Sequence, residues 1–397
     1  MTSMSPRQLR RSSPASPSGR PPFDCVALLL QGGGALGAYQ GGVYQALAEA
    51  DLHPDWVAGI SIGAINAALI AGNPTEARVE KLRSFWEAIT ADPLPAWLLA
   101  EPCGDLARSW ANQWHANVAA AFGVPGFFSP HTLNPLFQPA GAPEATSFYD
   151  TSDLKGTLER FVDFDRINAR KMRFSVGAVN VATGNLVYFD NSSDEIRPEH
   201  VMASGALPPG FAPVEVAGEH YWDGGLVSNT PLQWVLECPE RRDTLAFQVD
   251  LWNARGLVPG TLPEVMTRQK EIQYSSRTRA NSDRFRHEQR LRKALADLMG
   301  RLPDELRNSP EWQLLHPEAA DKVYNVIQLI YRSKDHEGGS KDYEFSRRSM
   351  EDHWTAGYED TIRTLRHPEV LARPSGADGV STFDLAAQPP QSKQESQ

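Results

Sequence analysis

The stretch Trp56–Ala71, WVAGISIGAINAALIA, decides the fold. It opens with Trp56–Ile60, an apolar run too short for a helix and uninterrupted in its hydrophobicity, as a strand buried on both faces requires. It closes with Ile62–Ala71, rich in Ala and Ile and long enough for about three helical turns. Between strand and helix stand Gly59-Ile60-Ser61-Ile62-Gly63. The same succession occurs once before. Cys25–Gln31 (CVALLLQ) is a second apolar run, Gly32-Gly33-Gly34-Ala35-Leu36-Gly37 a tight loop, and Ala38–Ala50 a helical pattern with Val43 and Leu47 on one face. Two strand–loop–helix units in tandem give the rhythm of an α/β domain with a parallel sheet.

Farther out, strands are expected at Met172–Val181 and Asn185–Phe189, joined by the turn Ala182-Thr183-Gly184, and again at Thr244–Leu251. Leu262–Met299 reads as a long charged helical stretch, Lys322–Arg332 as a strand and Phe345–Leu365 as a helix. Residues 93–150 interrupt the pattern. There Trp97, Trp110, Trp114, Phe122, Phe127, Phe128 and Phe137 lie among Pro, Gly and Ala, as an irregular helical insertion that either caps a site or fills a core. The main domain is expected over 23–251, and a mainly helical C-terminal region with one or more strands over 252–373. Residues 1–22 and 374–397 read as disordered tails.

The chain has 397 residues, 41% of them apolar, and a formal net charge of −10, which disfavours a general nucleic-acid binder. Its three cysteines, Cys25, Cys103 and Cys238, form no CxxC pair, so neither a disulfide framework nor a zinc site is indicated. Arg10-Arg11 precede no apolar h-region, and no run of about 18 apolar residues exists. A cytoplasmic protein with no membrane-spanning helix is expected.

Three segments carry chemistry. Glycines at 32–34 and 37, ahead of a helix N-terminus, let backbone amides approach an anion, whether pyrophosphate, phosphate or a transient oxyanion. Gly59–Gly63 is a GxSxG elbow in its strand–helix context, which holds the Ser61 hydroxyl out on a sharp turn. Asp223-Gly224-Gly225 is by itself a turn signal. A serine nucleophile needs a base, however. His287, His336 or His353 would follow Asp223 in a Ser…Asp…His order, and His220 precedes it in an apparent turn, but none lies in a glycine-flanked loop after a strand. A buried carboxylate can serve directly, since a dry site raises its proton affinity. A dinucleotide site would place an acidic residue where the second strand ends, and a P-loop would need GK[ST] after the glycines; the sequence has neither.

In this order the three segments resemble the patatin-like phospholipase family, with Ala203–Pro208 and Asn229–Pro231 matching their usual surroundings. The resemblance covers about Phe23–Leu251. The stretch beyond, notably up to Ser346 with His353-Trp354, resembles the extra C-terminal region of a bacterial subgroup. Ile60 and Ile62 are bulkier than in some members, and Gly225 replaces a frequent Ala. The resemblance implies a three-layer α/β/α sandwich with a mainly parallel sheet and a helical C-terminal extension. It implies Ser61 as nucleophile, Asp223 as general base, and an oxyanion hole from Gly32, Gly33, Gly34, Ala35 and Gly37, with Gly59, Gly63, Gly224 and Gly225 as motif glycines. The expected substrate is a lipid or other acyl ester, with no metal or organic cofactor. A competing reading is a non-catalytic protein that binds lipid or polyester-granule surfaces through the Arg-rich stretch Arg268–Lys293.

Overall fold

Leu28, Leu29 and Leu30 are all fully buried, although successive side chains of a strand point to opposite faces. Such a strand needs cover on both sides, and the computed structural model supplies it. The structure describes residues 20–90, 105–275, 278–307, 309–334, 337–376 and 378–385. Residues 1–19 and 386–397 of the expected tails, and Trp97, Cys103 and His336, lie outside the described residues.

In chain order the first half contains β1 (Cys25–Leu30), α1 (Ala38–Glu49), β2 (Trp56–Ile60), α2 (Ile62–Ala71), α3 (Arg78–Ile89) and α4 (Asp105–Phe122). A short ribbon of β3 (Ser129–Pro130) and β4 (Tyr149–Asp150) leads to α5 (Ser152–Phe161), α6 (Phe164–Asn168), β5 (Arg173–Asn180) and β6 (Leu186–Asp190). Then come α7 (Pro198–Ser204), β7 (Val214–Val216), β8 (Glu219–Asp223), α8 (Leu232–Leu236) and β9 (Thr244–Asp250). The remainder holds α9 (Leu262–Tyr274), α10 (Thr278–Gly300), α11 (Pro310–Leu315), β10 (Tyr324–Ile330), α12 (Arg347–Leu365) and β11 (Val380–Phe383).

Among the described residues one sheet runs in the order β11-β10-β9-β1-β2-β5-β8-β7, with β6 also paired to β5. The first six are parallel neighbours, and β6, β7 and β8 pair antiparallel. Leu28, Leu30, Leu245 and Phe247 face a core closed by α1, α2, α3 and α12. Ala27, Leu29, Ala58 and Ala246 face a second core closed by α8 and Phe285 of α10. This is the three-layer α/β/α arrangement. Each buried Leu contributes about 2 kcal/mol by leaving water.

The chain beyond Leu251 is built into that sandwich. It adds β10 and β11 to the sheet edge, and α12 packs on α1, where Tyr39 donates to Asp360 at 2.9 Å and the Trp354 indole donates to Gln45 at 2.7 Å. The single long helix read over 262–299 is two helices, because the backbone at Ser275 is extended and ends α9. Part of the stretch expected as tail from Pro374 is strand β11, paired with β10 from Tyr324↔Val380 to Ile327↔Phe383. His220, read as lying in a turn, sits within β8, exposed, opposite Glu215 of the β7–β8 hairpin. The insertion divides its aromatics: Phe127 and Phe128 join the core, while Trp110, Trp114, Phe122 and Phe137 are exposed. Among the described residues no helix is long and apolar enough to cross a membrane.

Candidate active site

Strand β5 is where the site is assembled. Its residues 173–177 pair with β2, ending at Ile60↔Gly177, and its residues 178–180 pair with β8, beginning at Ala178↔Asp223. Because β6 occupies the opposite edge of β5, β2 and β8 abut end to end along one edge. The residue that follows β2 is Ser61, and the residue that ends β8 is Asp223. Sheet register thus brings together two positions that are distant in sequence.

Ser61 has φ 55° and ψ −125°, a backbone conformation rare for a non-glycine residue and characteristic of a nucleophile elbow. Two contacts hold the strained turn: its amide donates to the Ser204 carbonyl at 3.1 Å and to Ser204 Oγ at 3.0 Å. Ser204 in turn donates to the Gly177 carbonyl at 2.6 Å. The flanking glycines are required by contact. A Cβ on Gly59 would lie 2.2 Å from the Gly63 carbonyl oxygen, and a Cβ on Gly63 would lie 2.2 Å from that of Leu30. Ser61 also stands at the N-terminus of α2, whose partial positive charge favours a nearby anion.

Asp223 is 2% exposed. Burial pushes its carboxyl up to about 6, against stabilising hydrogen bonds from the Ser61 hydroxyl and the Gly225 amide. The Gly225 bond measures 2.7 Å. Gly224 packs its α-carbon face against the Gly177 carbonyl and Ile60.

The glycine-rich loop lies directly over Ser61: a Cβ on Gly32 would approach the Ser61 Cβ to 2.9 Å. Its amides are unequally occupied. Gly32 donates to the Asn229 carbonyl at 3.3 Å, and Ala35 donates to the Asp342 carbonyl at 2.8 Å. Among the described residues the Gly33 and Gly34 amides have no acceptor. Gly37 lies away from the serine, packed on Ile62 and Trp86. Of the five residues expected in an oxyanion hole, Gly33 and Gly34 thus line the cavity with amides that have no acceptor among the described residues.

That cavity has a volume of about 560 Å³ and is bounded by Gly32–Gly34, Ser61 and Asp223 on one side. The rest of the wall carries aromatic side chains, including Phe127, Phe128, Phe211 and Phe345, together with the charged residues Lys270 and Asp342. Among the described residues no histidine lines it. His287 is exposed on α10, and His353 is buried elsewhere, 3.6 Å from Glu337. Nor does any cluster of three or more His, Cys, Asp or Glu among the described residues offer a metal site.

Residues 28–235, more than half of the chain, match the family model described as patatin-like phospholipase. The chain belongs to the patatin-like phospholipase family. Residues 272–377 match a second model, described as patatin phospholipase. Among solved structures, the crystal structure of VipD from Legionella pneumophila is 15% identical, with a TM-score of 0.36, over 87% of this chain and 66% of that one. This patatin-like chain thus spans less than two thirds of that protein's length. No curated protein matches it.

The structure also brings residues to the site that the sequence reading left without a role. Ser204 and Asn229 lie inside segments quoted for the resemblance, so proximity to Ala203–Pro208 and Asn229–Pro231 was their only signal. Trp252 donates its indole N–H to the Gly32 carbonyl at 3.0 Å, and Tyr274 lines the cavity from the end of α9. Neither belongs to a recognisable motif.

Proposed function

We propose that this patatin-like protein is a serine acyl-ester hydrolase that acts on lipid esters through a Ser61–Asp223 dyad. One observation carries the reading: the buried Asp223 carboxyl, raised by desolvation and eased by the Ser61 hydroxyl, lines the same aromatic-rich cavity as Ser61 and two backbone amides that have no acceptor among the described residues.

In the first half-reaction, Ser61 Oγ attacks the ester carbonyl carbon while its proton passes to Asp223. Charge gathers on the carbonyl oxygen, which the Gly33 and Gly34 amides would stabilise by donation; one preorganised donor is worth roughly 3 kcal/mol, about a hundredfold in rate. Collapse expels the alcohol, which takes the proton from Asp223, and leaves an acyl-Ser61. Water then attacks that ester, gives its proton to Asp223, and releases the carboxylic acid as Ser61 recovers its hydroxyl. The large aromatic surface suits an alkyl chain, and the chemistry calls for no metal or organic cofactor. The free thiols of Cys25 and Cys238 fit a reduced, cytoplasmic setting, with the substrate met at a membrane or granule surface.

The test is hydrolysis of p-nitrophenyl esters by wild type, Ser61→Ala and Asp223→Asn, with fluorophosphonate labelling alongside. Wild type should turn over and label on Ser61, and both variants should fall to background. Turnover that survives Ser61→Ala would sink the assignment, and near-normal activity in Asp223→Asn would point to a histidine base.

A further inference from the structure

Two adjacent residues of α9, Lys270 and Glu271, meet two adjacent residues of a distant loop, Lys341 and Asp342, with opposite charges in register. Lys270 Nζ lies 2.9 Å from both carboxylate oxygens of Asp342. Lys341 Nζ lies 2.7 Å from Glu271 Oε1 and 2.9 Å from Ser333 Oγ. Arg268 adds a second partner for Glu271 at 3.1 Å, and Lys270 also reaches the Gly339 carbonyl at 3.3 Å. Lys341 is buried, its ammonium 5.4 Å from the centre of the Trp252 ring.

This clasp sits on the glycine-rich loop. The backbone carbonyl of Asp342 accepts from the Ala35 amide, and a Cβ on Gly34, whose φ is 55°, would fall 2.1 Å from the same oxygen. The ring under Lys341 belongs to Trp252, which holds the Gly32 carbonyl. Both ends of the segment Gly32–Ala35 are therefore tied to groups that the two ion pairs fix. Half-buried pairs in a network resist solvent screening better than isolated surface pairs.

We propose that the crossed pairs Lys270–Asp342 and Glu271–Lys341 are a positioning device of the C-terminal region. They set the Asp342 carbonyl so that Ala35 is held and the Gly33 and Gly34 amides stay turned toward the Ser61 cavity. The device rests on the oxyanion reading of those two amides. It gives the residues beyond Leu251 a task in the reaction: they shape the loop without touching the reacting atoms.

Lys270→Met, Asp342→Asn and the reversed pair Lys270→Asp/Asp342→Lys test this in the full chain. Amide hydrogen exchange over residues 32–38 is read beside kcat, KM and melting temperature on a p-nitrophenyl ester. Each single variant should speed exchange at 33–36 and lower kcat about tenfold, with KM within about twofold and melting little changed. The reversed pair should recover both readouts. Unchanged exchange in the single variants overturns the proposal, as does a reversed pair no better than either single. Because exchange needs no turnover, a wild type without esterase activity whose loop still loosens in Lys270→Met supports the positioning role while sinking the hydrolase reading.

Discussion

Asn229 and Gly32 exchange hydrogen bonds: the Gly32 amide donates to the Asn229 carbonyl at 3.3 Å, and Asn229 Nδ2 donates to the Gly32 carbonyl at 3.0 Å. The same Nδ2 reaches the Tyr274 carbonyl at 2.8 Å. Asn229 thus links the loop after the aspartate motif, the glycine-rich loop and α9 at one buried point. Asn229→Ala removes the side-chain donor, while the Gly32 carbonyl keeps the Trp252 indole and the Tyr274 carbonyl keeps Gln31 Nε2, so each lost bond costs about 1 kcal/mol. Turnover should drop about tenfold or more while Ser61 still labels, slowly, with fluorophosphonate. Wild-type kinetics in this variant would show that Gly32 is held by its other contacts alone.

The raised carboxyl of Asp223 predicts the pH profile. As the proposed general base, Asp223 would work only when ionised, so kcat/KM should rise about tenfold per pH unit below its transition, at about pH 6, and level off above it. The limb reports the free enzyme, in which burial disfavours the charged form. A profile flat between about pH 5 and about pH 8 would mean that Asp223 does not gate the reaction.

The same shift makes Asp223 a burden on stability. Its folded-state value of about 6 lies above the ordinary 3.8, so the folded protein binds this proton more tightly than the unfolded chain. The resulting destabilisation is absent below about pH 4, grows as pH rises toward about 6, and is complete above that, at roughly 3 kcal/mol. Asp223→Asn should therefore melt higher than wild type at about pH 7 and at the same temperature at about pH 4. An inactive variant that is also less stable at neutral pH would place the hydrogen bond to Ser61 above desolvation in importance.

How much of this was legible in the sequence follows from which contacts are local. The two strand–loop–helix units, β1 to α1 and β2 to α2, appear where their apolar runs stand, because each is decided by its own residues and by glycines that must tolerate close backbone approach. The β7–β8 hairpin was missed: Val214–Asp223 alternates weakly, and Ala217-Gly218 is a turn whose strands owe their place to β5. The meeting of Ser61 with Asp223 was inferred from family likeness. Its physical cause, the end-to-end placement of β2 and β8 on one edge of β5, is a matter of sheet register that no local pattern encodes. The clasp of Lys270, Glu271, Lys341 and Asp342 was invisible for the same reason, since charged dipeptides read as solvated surface until the chain brings them face to face.

Phe128 and Phe345 separate two cavities. On one side lies the Ser61 cavity, and on the other a space of about 340 Å³ bordered by Val118, Ala119, Phe122 and Pro125; both ring side chains line both. Their rings stand 6.2 Å apart in an edge-to-face contact, and each residue lines both spaces. An alkyl chain that extends from Ser61 meets this wall. Phe128→Ala opens it and joins the two volumes, at the cost of about 3–5 kcal/mol of core stability; Phe128→Leu is the milder opening. Each added methylene that gains apolar cover is worth about 1 kcal/mol or more in discrimination. Across a p-nitrophenyl ester series, the preferred chain should lengthen in Phe128→Ala, and to a smaller degree in Phe128→Leu, with little loss on the shortest ester. An unchanged chain-length profile in a folded Phe128→Ala would mean that the acyl chain leaves the site along another part of the aromatic wall.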